Sequence, residues 1–245
     1  TRIEVKVPAT NVYVHFSWCI EKCPYCDFTS YKSSREALDG EGYADAVLRE
    51  FEARRAQLHV GAVDTVFVGG GTPSLWRASA LRRVLREIIG DSRGTEVTIE
   101  CNPSSLDEAT AAGLVEAGAT RLSVGVQSLD NDELRFLGRL HDADLARRAL
   151  TAAIKTGARV SADLIFGLPG QPLERAVAHA AEISDFGLSH VSAYALTIEP
   201  GTRFGELARR GKLPIADDDA VCDAFLAVEE ALGQRGLEHY EVSNY

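Results

Sequence analysis

The stretch NVYVHFSWCIEKCPYCDF, residues 11–28, joins a run of β-branched and aromatic residues to three closely spaced cysteines. The run at 11–16 has the composition of a β-strand. Cys19, Cys23 and Cys26 follow it with the spacing Cys-x3-Cys-x2-Cys, and they are three of the five cysteines in the chain. Clustered thiols behind a strand indicate a metal or redox site rather than a disulfide framework.

The rest of the chain continues the pattern that this strand begins. Short β-branched runs alternate with stretches rich in Ala, Leu and Arg, which predicts parallel strands joined by crossover helices. The predicted strands are 11–16, 63–68, 96–100, 121–126, 159–166 and 190–197. The predicted helices are 42–58, 78–89, 106–116, 145–156, 173–186 and 218–234. No linker rich in Gly, Pro or Ser interrupts the series, so we expect residues 1–245 to form a single α/β domain.

Two architectures fit six βα units: an open or partial β/α barrel, and a doubly wound sheet. Both place their functional residues at the carboxyl ends of the strands. Polar and glycine-rich segments follow the later strands in this sequence, namely GGGTPS, ECNPS, VQS, FGLPGQ and IEPGT. We therefore expect these segments and the cysteines to meet on one rim.

Composition excludes some classes of function. The net charge of -10 disfavours binding to a nucleic-acid backbone, so no nucleic-acid partner is expected. No apolar run approaches the ~20 residues of a membrane helix. We expect a cytoplasmic protein.

The cysteine spacing favours an iron–sulfur cluster over zinc. A structural zinc site needs four ligands, but Cys101 and Cys222 form no second Cys-x2-Cys pair and are expected to lie in the core. Three thiolates on a 4Fe-4S cluster leave one iron open to an external ligand. Three unliganded thiols in a surface loop remain the alternative.

Seven segments in a fixed order carry a family resemblance. They are YVHFSWCIEKCPYCDF, VGGGTPS, ECNPSS, VGVQSLD, LGRLHD, DLIFGLPGQ and YEVSNY, and the match runs from about residue 11 to residue 245. The chain resembles the radical S-adenosylmethionine (radical SAM) superfamily. Within it, the segments are similar to the oxygen-independent coproporphyrinogen III oxidases and the related heme chaperones of the HemW type.

The resemblance implies a partial (β/α)6 barrel of the radical SAM type. It also implies that Cys19, Cys23 and Cys26 bind a 4Fe-4S cluster whose open iron is chelated by S-adenosylmethionine (SAM). In such proteins a reductant protein, such as a flavodoxin, supplies the electron that cleaves SAM to a 5′-deoxyadenosyl radical. The family's C-terminal domain lies beyond the core, so residues 1–245 are expected to represent the core without it.

The resemblance also assigns residues to SAM. Gly70, Gly71 and Thr72 would contact its methionine part, although such a segment is by itself an ordinary strand-to-helix turn. Glu100 would accept hydrogen bonds from the ribose hydroxyls, and its alternative is a solvated strand-end carboxylate.

Other residues would line SAM or a second SAM: Tyr13, Gln127, Arg139 and Asp163. The alternatives are an ion pair of Arg139 with Asp142 or Asp144 on a helix surface, and a loop-capping role for Asp163. Tyr25 would shield the cluster and offer its backbone to the adenine of SAM. Tyr13 and His15 alternate along their strand and should face the same side.

Phe28 distinguishes between branches of the family. The oxidases carry a further cysteine two positions after the third cluster cysteine, and this position is Phe28 here. We therefore expect a heme chaperone, with heme or another tetrapyrrole as ligand and a hemoprotein as recipient. A coproporphyrinogen oxidase and a radical SAM methyltransferase remain the alternatives, so enzymatic activity is left open.

Overall fold

The computed structural model describes residues 10–58 and 61–245. The strands are β1 (Thr10–Phe16), β2 (Trp18–Cys19), β3 (Tyr31–Lys32), β4 (Val63–Gly70), β5 (Glu96–Cys101), β6 (Arg121–Gln127), β7 (Arg159–Phe166) and β8 (His190–Ala195). The helices are α1 (Gly40–Gln57), α2 (Ala78–Ile89), α3 (Glu108–Ala117), α4 (Asn131–Phe136), α5 (Ala143–Lys155), α6 (Leu173–Asp185), α7 (Arg203–Arg209) and α8 (Asp218–Gly233).

All six predicted strands and all six predicted helices are confirmed, with ends that shift by a few residues. The sequence pattern missed the short helices α4 and α7 and the two-residue pair of β2 with β3. Elements this short contain too few residues to show a period, so hydrophobic patterning cannot reveal them.

Strand order decides between the two architectures. The six long strands form one sheet in the order β1-β4-β5-β6-β7-β8, and every neighbouring pair is parallel. A doubly wound sheet would reverse its order at a switch point, whereas here each long strand lies beside its predecessor. The fold is a partial barrel of six βα units.

The barrel stays open at β8. Within the described residues, the outer edge of β8 pairs with residues 243–245 instead of with β1. The Val191 amide donates to the Tyr245 carbonyl at 3.0 Å, and the Ala193 amide donates to the Ser243 carbonyl at 2.8 Å. This antiparallel segment satisfies backbone groups that a sheet edge would otherwise expose.

The two faces of the sheet differ in polarity because side chains alternate along each strand. One face is apolar and packs against the helices in a single core, with Phe16, Val68, Ile99, Val124 and Phe166 among its buried members. The other face lines the inside of the partial barrel and is polar. There Ser161 donates to Ser123 at 2.9 Å. Polar chemistry is thus concentrated inside the barrel and at its rim.

The two cysteines outside the cluster differ from each other. Cys101 is 5% exposed on the apolar face of β5, which confirms its expected place in the core. Cys222 on α8 is exposed, so the expectation that it lies in the core was wrong. It occupies the solvent side of an amphipathic helix whose buried residues are Ala224, Val228, Ala231 and Leu232. In residues 10–58 and 61–245, no helix is both long and apolar enough to cross a membrane.

Candidate functional site

The three clustered cysteines lie in the loop that leaves β1. All three are free thiols and partly exposed. Cys19 ends β2, where its carbonyl accepts the Ser33 amide at 2.9 Å, and the Cys26 amide closes a turn onto the Cys23 carbonyl at 3.2 Å. The loop is therefore ordered by its own backbone hydrogen bonds, and its thiols stay accessible.

A glycine turn at the end of β4 lies directly against this loop. The Gly71 amide donates to the Phe16 carbonyl at 2.6 Å, and the Thr72 amide donates to the Trp18 carbonyl at 2.8 Å. A Cβ atom on Gly71 would lie 2.5 Å from the Trp18 carbonyl oxygen, so only glycine permits this approach. Because both amides are engaged, a ligand would meet this turn through carbonyl oxygens.

Glu100 connects the glycine turn to the barrel interior. Its Oε2 accepts the Gly70 amide at 3.0 Å. Burial, together with the nearby Asp163 carboxylate, raises the pKa of Glu100 to about 7, while the Gly70 hydrogen bond opposes the rise. Burial also raises the pKa of Asp163 to about 6. The site thus holds two partly buried carboxyl groups that prefer a cationic or hydroxyl-bearing neighbour.

Tyr13 and His15 lie on the interior side of β1, as predicted. The Tyr13 hydroxyl is 2.9 Å from His15 Nδ1, and His15 Nε2 is 2.7 Å from the Thr29 carbonyl oxygen. Tyr13 remains 57% exposed at the barrel mouth. His15 therefore joins β1 to the far end of the cysteine loop, and Tyr13 presents its ring to the open interior.

Arg139 reaches the cysteine loop from the segment between α4 and α5. Its Nη1 lies 3.4 Å from the Cys23 sulfur and 3.5 Å from the Tyr25 hydroxyl, and its Nη2 donates to the Gly125 carbonyl at 2.9 Å. The alternative in which Arg139 pairs with Asp142 or Asp144 on a helix surface is wrong. The Gly138–Arg139 turn instead directs the guanidinium inward.

Gln127 and Tyr25 complete the set of predicted residues. Gln127 ends β6 with a φ of 68°, a conformation that is uncommon for residues other than glycine. Tyr25 packs against a small apolar cluster that contains Leu137 and Ile165, and its ring centroid lies 6.4 Å from that of Phe204. Burial raises the pKa of the Tyr25 hydroxyl, which therefore stays protonated.

A small, solvent-open cleft runs along the rim. Its lining includes Cys23, Thr72, Asn102, Arg139 and Leu140. In the described part of the chain, no three His, Cys, Asp or Glu side chains are close enough to hold a single metal ion. A four-iron cluster does not need that closeness, because each thiolate binds a different iron.

The sequence reasoning missed several positions that shape the site. Gly125 leaves room for Gln127 and Arg139, since a Cβ atom there would lie 2.8 Å from Gln127 Nε2. Gly138 has a φ of +68°, and a Cβ atom there would lie 2.5 Å from Pro24 Cδ. Tyr194 on β8 is 44% exposed. For the two glycines, the sequence signal was their presence in VGVQS at the end of β6 and in LGRLH between α4 and α5.

The sequence profile of the Radical SAM superfamily matches residues 13–183. The chain is 36% identical to the heme chaperone HemW of Haemophilus influenzae, over 98% of this chain and 63% of that protein. It is 37% identical to HemW of Escherichia coli, over 98% of this chain and 64% of that protein. A zebrafish (Danio rerio) protein, radical S-adenosyl methionine domain-containing protein 1, mitochondrial, is 34% identical over 98% of this chain and 55% of its own length.

Solved structures show the same fold. Coproporphyrinogen III oxidase (HemN) from Escherichia coli superposes with a TM-score of 0.83 at 23% identity, over 96% of this chain and 54% of that one. Methylornithine synthase (PylB) superposes with a TM-score of 0.59 at 16% identity, over 91% of this chain and 62% of that one. The chain spans a little under two-thirds of the length of its HemW relatives. The partial barrel, the clustered cysteines and the profile match agree: the chain belongs to the radical SAM superfamily.

Proposed function

We propose that Cys19, Cys23 and Cys26 bind a 4Fe-4S cluster and that the rim above them binds SAM. Radical SAM proteins use these two groups for one-electron chemistry. The observation that carries the proposal is the contact between Arg139 and the Cys23 sulfur, which joins residues 116 positions apart at the carboxyl ends of the strands. A cation beside free, ordered thiols suits a cluster whose thiolate ligands leave it negatively charged.

The side chains of the rim also suit SAM. The buried Arg139 Nε has no hydrogen-bond partner within the described residues, so an acceptor such as the methionyl carboxylate would satisfy it. The carbonyl oxygens of Gly70, Gly71 and Thr72 would accept from the methionyl ammonium. Glu100 would accept from the ribose hydroxyls.

Three further residues would enclose the bound nucleoside. Tyr13, Gln127 and Asp163 line the barrel interior beside Glu100, where the ionised Asp163 would favour a ligand that carries net positive charge. Tyr25 would cover the cluster, since its ring already packs against the apolar cluster beside the cysteine loop.

We further propose that the whole protein is a heme chaperone that transfers heme to a hemoprotein. The support is the identity of 36–37% to HemW proteins over 98% of this chain. Phe28 adds to it, because an exposed phenylalanine stands where the oxidases carry a further cysteine. A cytoplasmic location and a flavodoxin-like reductant are part of this proposal.

Coproporphyrinogen oxidation is the second candidate. The observation in its favour is the TM-score of 0.83 to the HemN structure, against 0.59 to methylornithine synthase. This structural similarity shows a shared fold. At 23% identity, it is not evidence that the two proteins catalyse the same reaction.

A pair of assays on the full-length protein distinguishes the two candidates. The cluster-loaded protein is titrated with heme and followed by its absorption spectrum, and it is separately incubated anaerobically with coproporphyrinogen III, SAM and a reductant. The chaperone proposal predicts stoichiometric heme binding and no decarboxylated product. Decarboxylated porphyrinogen would establish the oxidase instead, and absence of heme binding would reject the chaperone.

A further inference from the structure

The environment of Arg139 suggests a role beyond holding SAM. The side chain is half-buried with its Nε shielded from solvent, and in residues 10–58 and 61–245 no carboxylate oxygen lies within 4 Å of its guanidinium nitrogens. Asp163 attracts it only from a longer distance, and a shielded cation without an anion in direct contact is costly. The acceptors within reach are the Cys23 sulfur, the Tyr25 hydroxyl and the Gly125 carbonyl oxygen. Of these three, only the sulfur of Cys23 becomes anionic when a cluster binds.

The backbone around Arg139 is built to hold this position. The Arg139 amide donates to the Leu134 carbonyl at 2.9 Å, and the Gly138 amide donates to the Arg135 carbonyl at 3.1 Å. Gly138 adopts a φ of +68° in direct contact with Pro24, where any Cβ atom would clash. Leu134 itself is 1% exposed. The turn therefore fixes the guanidinium against the cysteine loop before any ligand binds.

We propose that Arg139 tunes the cluster by donating a hydrogen bond to the thiolate sulfur of Cys23, and so raises its reduction potential. This inference rests on the proposed cluster. Hydrogen bonds to cluster sulfurs and nearby charges are two of the terms that set such potentials. Uptake of one electron adds negative charge, which a fixed donor and cation stabilise. Arg139 is thus a positioning residue that makes the cluster easier to reduce.

The test is a reduction-potential titration followed by electron paramagnetic resonance, on full-length protein after anaerobic cluster assembly. Arg139→Gln removes the positive charge and leaves a single amide nitrogen in place of the two that contact Cys23 and Gly125. We expect a more negative reduction potential than in the wild type. Arg139→Lys keeps the charge but cannot bridge Cys23 and Gly125, so its potential should lie between the two. Arg135→Gln is the matched control, because it removes one exposed arginine from α4, directly before the Arg139 turn, and its potential should equal that of the wild type.

Each outcome has a defined meaning. Equal potentials for the wild type and Arg139→Gln would overturn the inference. If Arg139→Gln does not assemble a cluster, Arg139→Lys decides: an intermediate potential supports tuning, whereas a wild-type potential or a failure to assemble overturns it. A wild-type protein that takes up no iron and sulfide would instead reject the proposed cluster, and this result is read from iron analysis ahead of the titration.

Discussion

Glu100, which we propose accepts hydrogen bonds from SAM, also destabilises the ligand-free protein near neutral pH. Its pKa of about 7 lies above the value of an unfolded glutamate because burial penalises its charge. Because this pKa is raised in the folded protein, the free energy of unfolding keeps its full value below the pKa of an unfolded glutamate. It falls as the pH rises through 7 and Glu100 loses its proton. The ligand-free protein therefore holds this carboxylate at a cost near neutral pH.

This cost predicts the effect of Glu100→Gln. The amide oxygen keeps the hydrogen bond from Gly70, but the charge is gone. At pH 8 the variant should be more stable than the wild type by about 2 kcal/mol, and the gain should shrink toward zero near pH 5. Urea unfolding of the apoprotein at both pH values measures the difference.

Glu96→Gln is the control on the same strand. The hydrogen bond from Arg159 lowers the pKa of Glu96, so its contribution has the opposite sign and is present at pH 8. The control should lose about 0–1 kcal/mol there, as exposed pairs do. A loss of stability at pH 8 in Glu100→Gln would contradict the account of Glu100.

At the scale of elements, the turn after β4 determines where the cysteine loop lies. Gly71→Ala would place a methyl group 2.5 Å from the Trp18 carbonyl oxygen, so the loop must move. We expect a loss of about 2–4 kcal/mol in stability and a clear drop in iron bound per chain after reconstitution. Urea unfolding and iron analysis provide the two readouts.

Gly113→Ala is the matched control for this prediction. Gly113 lies within α3, and a Cβ atom there would be 3.4 Å from the Ala78 Cβ, an ordinary contact. Because alanine favours helices, this variant should equal or slightly exceed the wild type in stability. If Gly71→Ala behaved like Gly113→Ala in both assays, the glycine turn would not support the cysteine loop.

A second link between elements is the buried carboxylate of Glu133 on α4. It accepts from Ser128 Oγ at 2.5 Å and from Gln171 Nε2 at 3.1 Å, and His179 Nδ1 lies 3.6 Å away. These contacts join the loop after β6 to the loop after β7 and to α6. Arg139 follows directly after α4, so the contacts of Glu133 support the site indirectly.

Glu133→Ala leaves these polar partners buried without an acceptor. We expect a loss of about 2–3 kcal/mol in the free energy of unfolding, because each buried polar group left without a hydrogen-bond partner costs about 1–3 kcal/mol. Asp132→Ala on the same helix removes an exposed pair with Arg135 and should cost about 0–1 kcal/mol. Similar losses for the two variants in chemical denaturation would show that the contacts of Glu133 do not stabilise the packing of these elements.

At the scale of the whole molecule, the sequence predicted the parts that repeat. Six βα units show up as alternating composition, and the polar segments at the strand ends mark the rim. The choice between a barrel and a doubly wound sheet depends on which strands are neighbours, and local patterning does not contain that information. The order of the strands in the structure supplied that information, because each long strand lies beside the one before it.

The same limit applies within the site. The cysteine motif and Glu100 could be found in the sequence because each stands in a recognisable strand-end segment. The contact of Arg139 with Cys23, the clash that Gly138 avoids and the exposure of Cys222 depend on how distant elements pack. They became visible only in three dimensions.

We propose that Cys19, Cys23 and Cys26 hold a 4Fe-4S cluster with an open iron that SAM occupies, and this can be tested directly. The measurement is the electron paramagnetic resonance spectrum of the reconstituted, dithionite-reduced protein with and without SAM, beside a variant in which Cys19, Cys23 and Cys26 are all alanine. We expect a cluster signal that SAM changes in the wild type, and no cluster in the triple variant. A wild-type signal indifferent to saturating SAM, or full iron and sulfide in the triple variant, would contradict it.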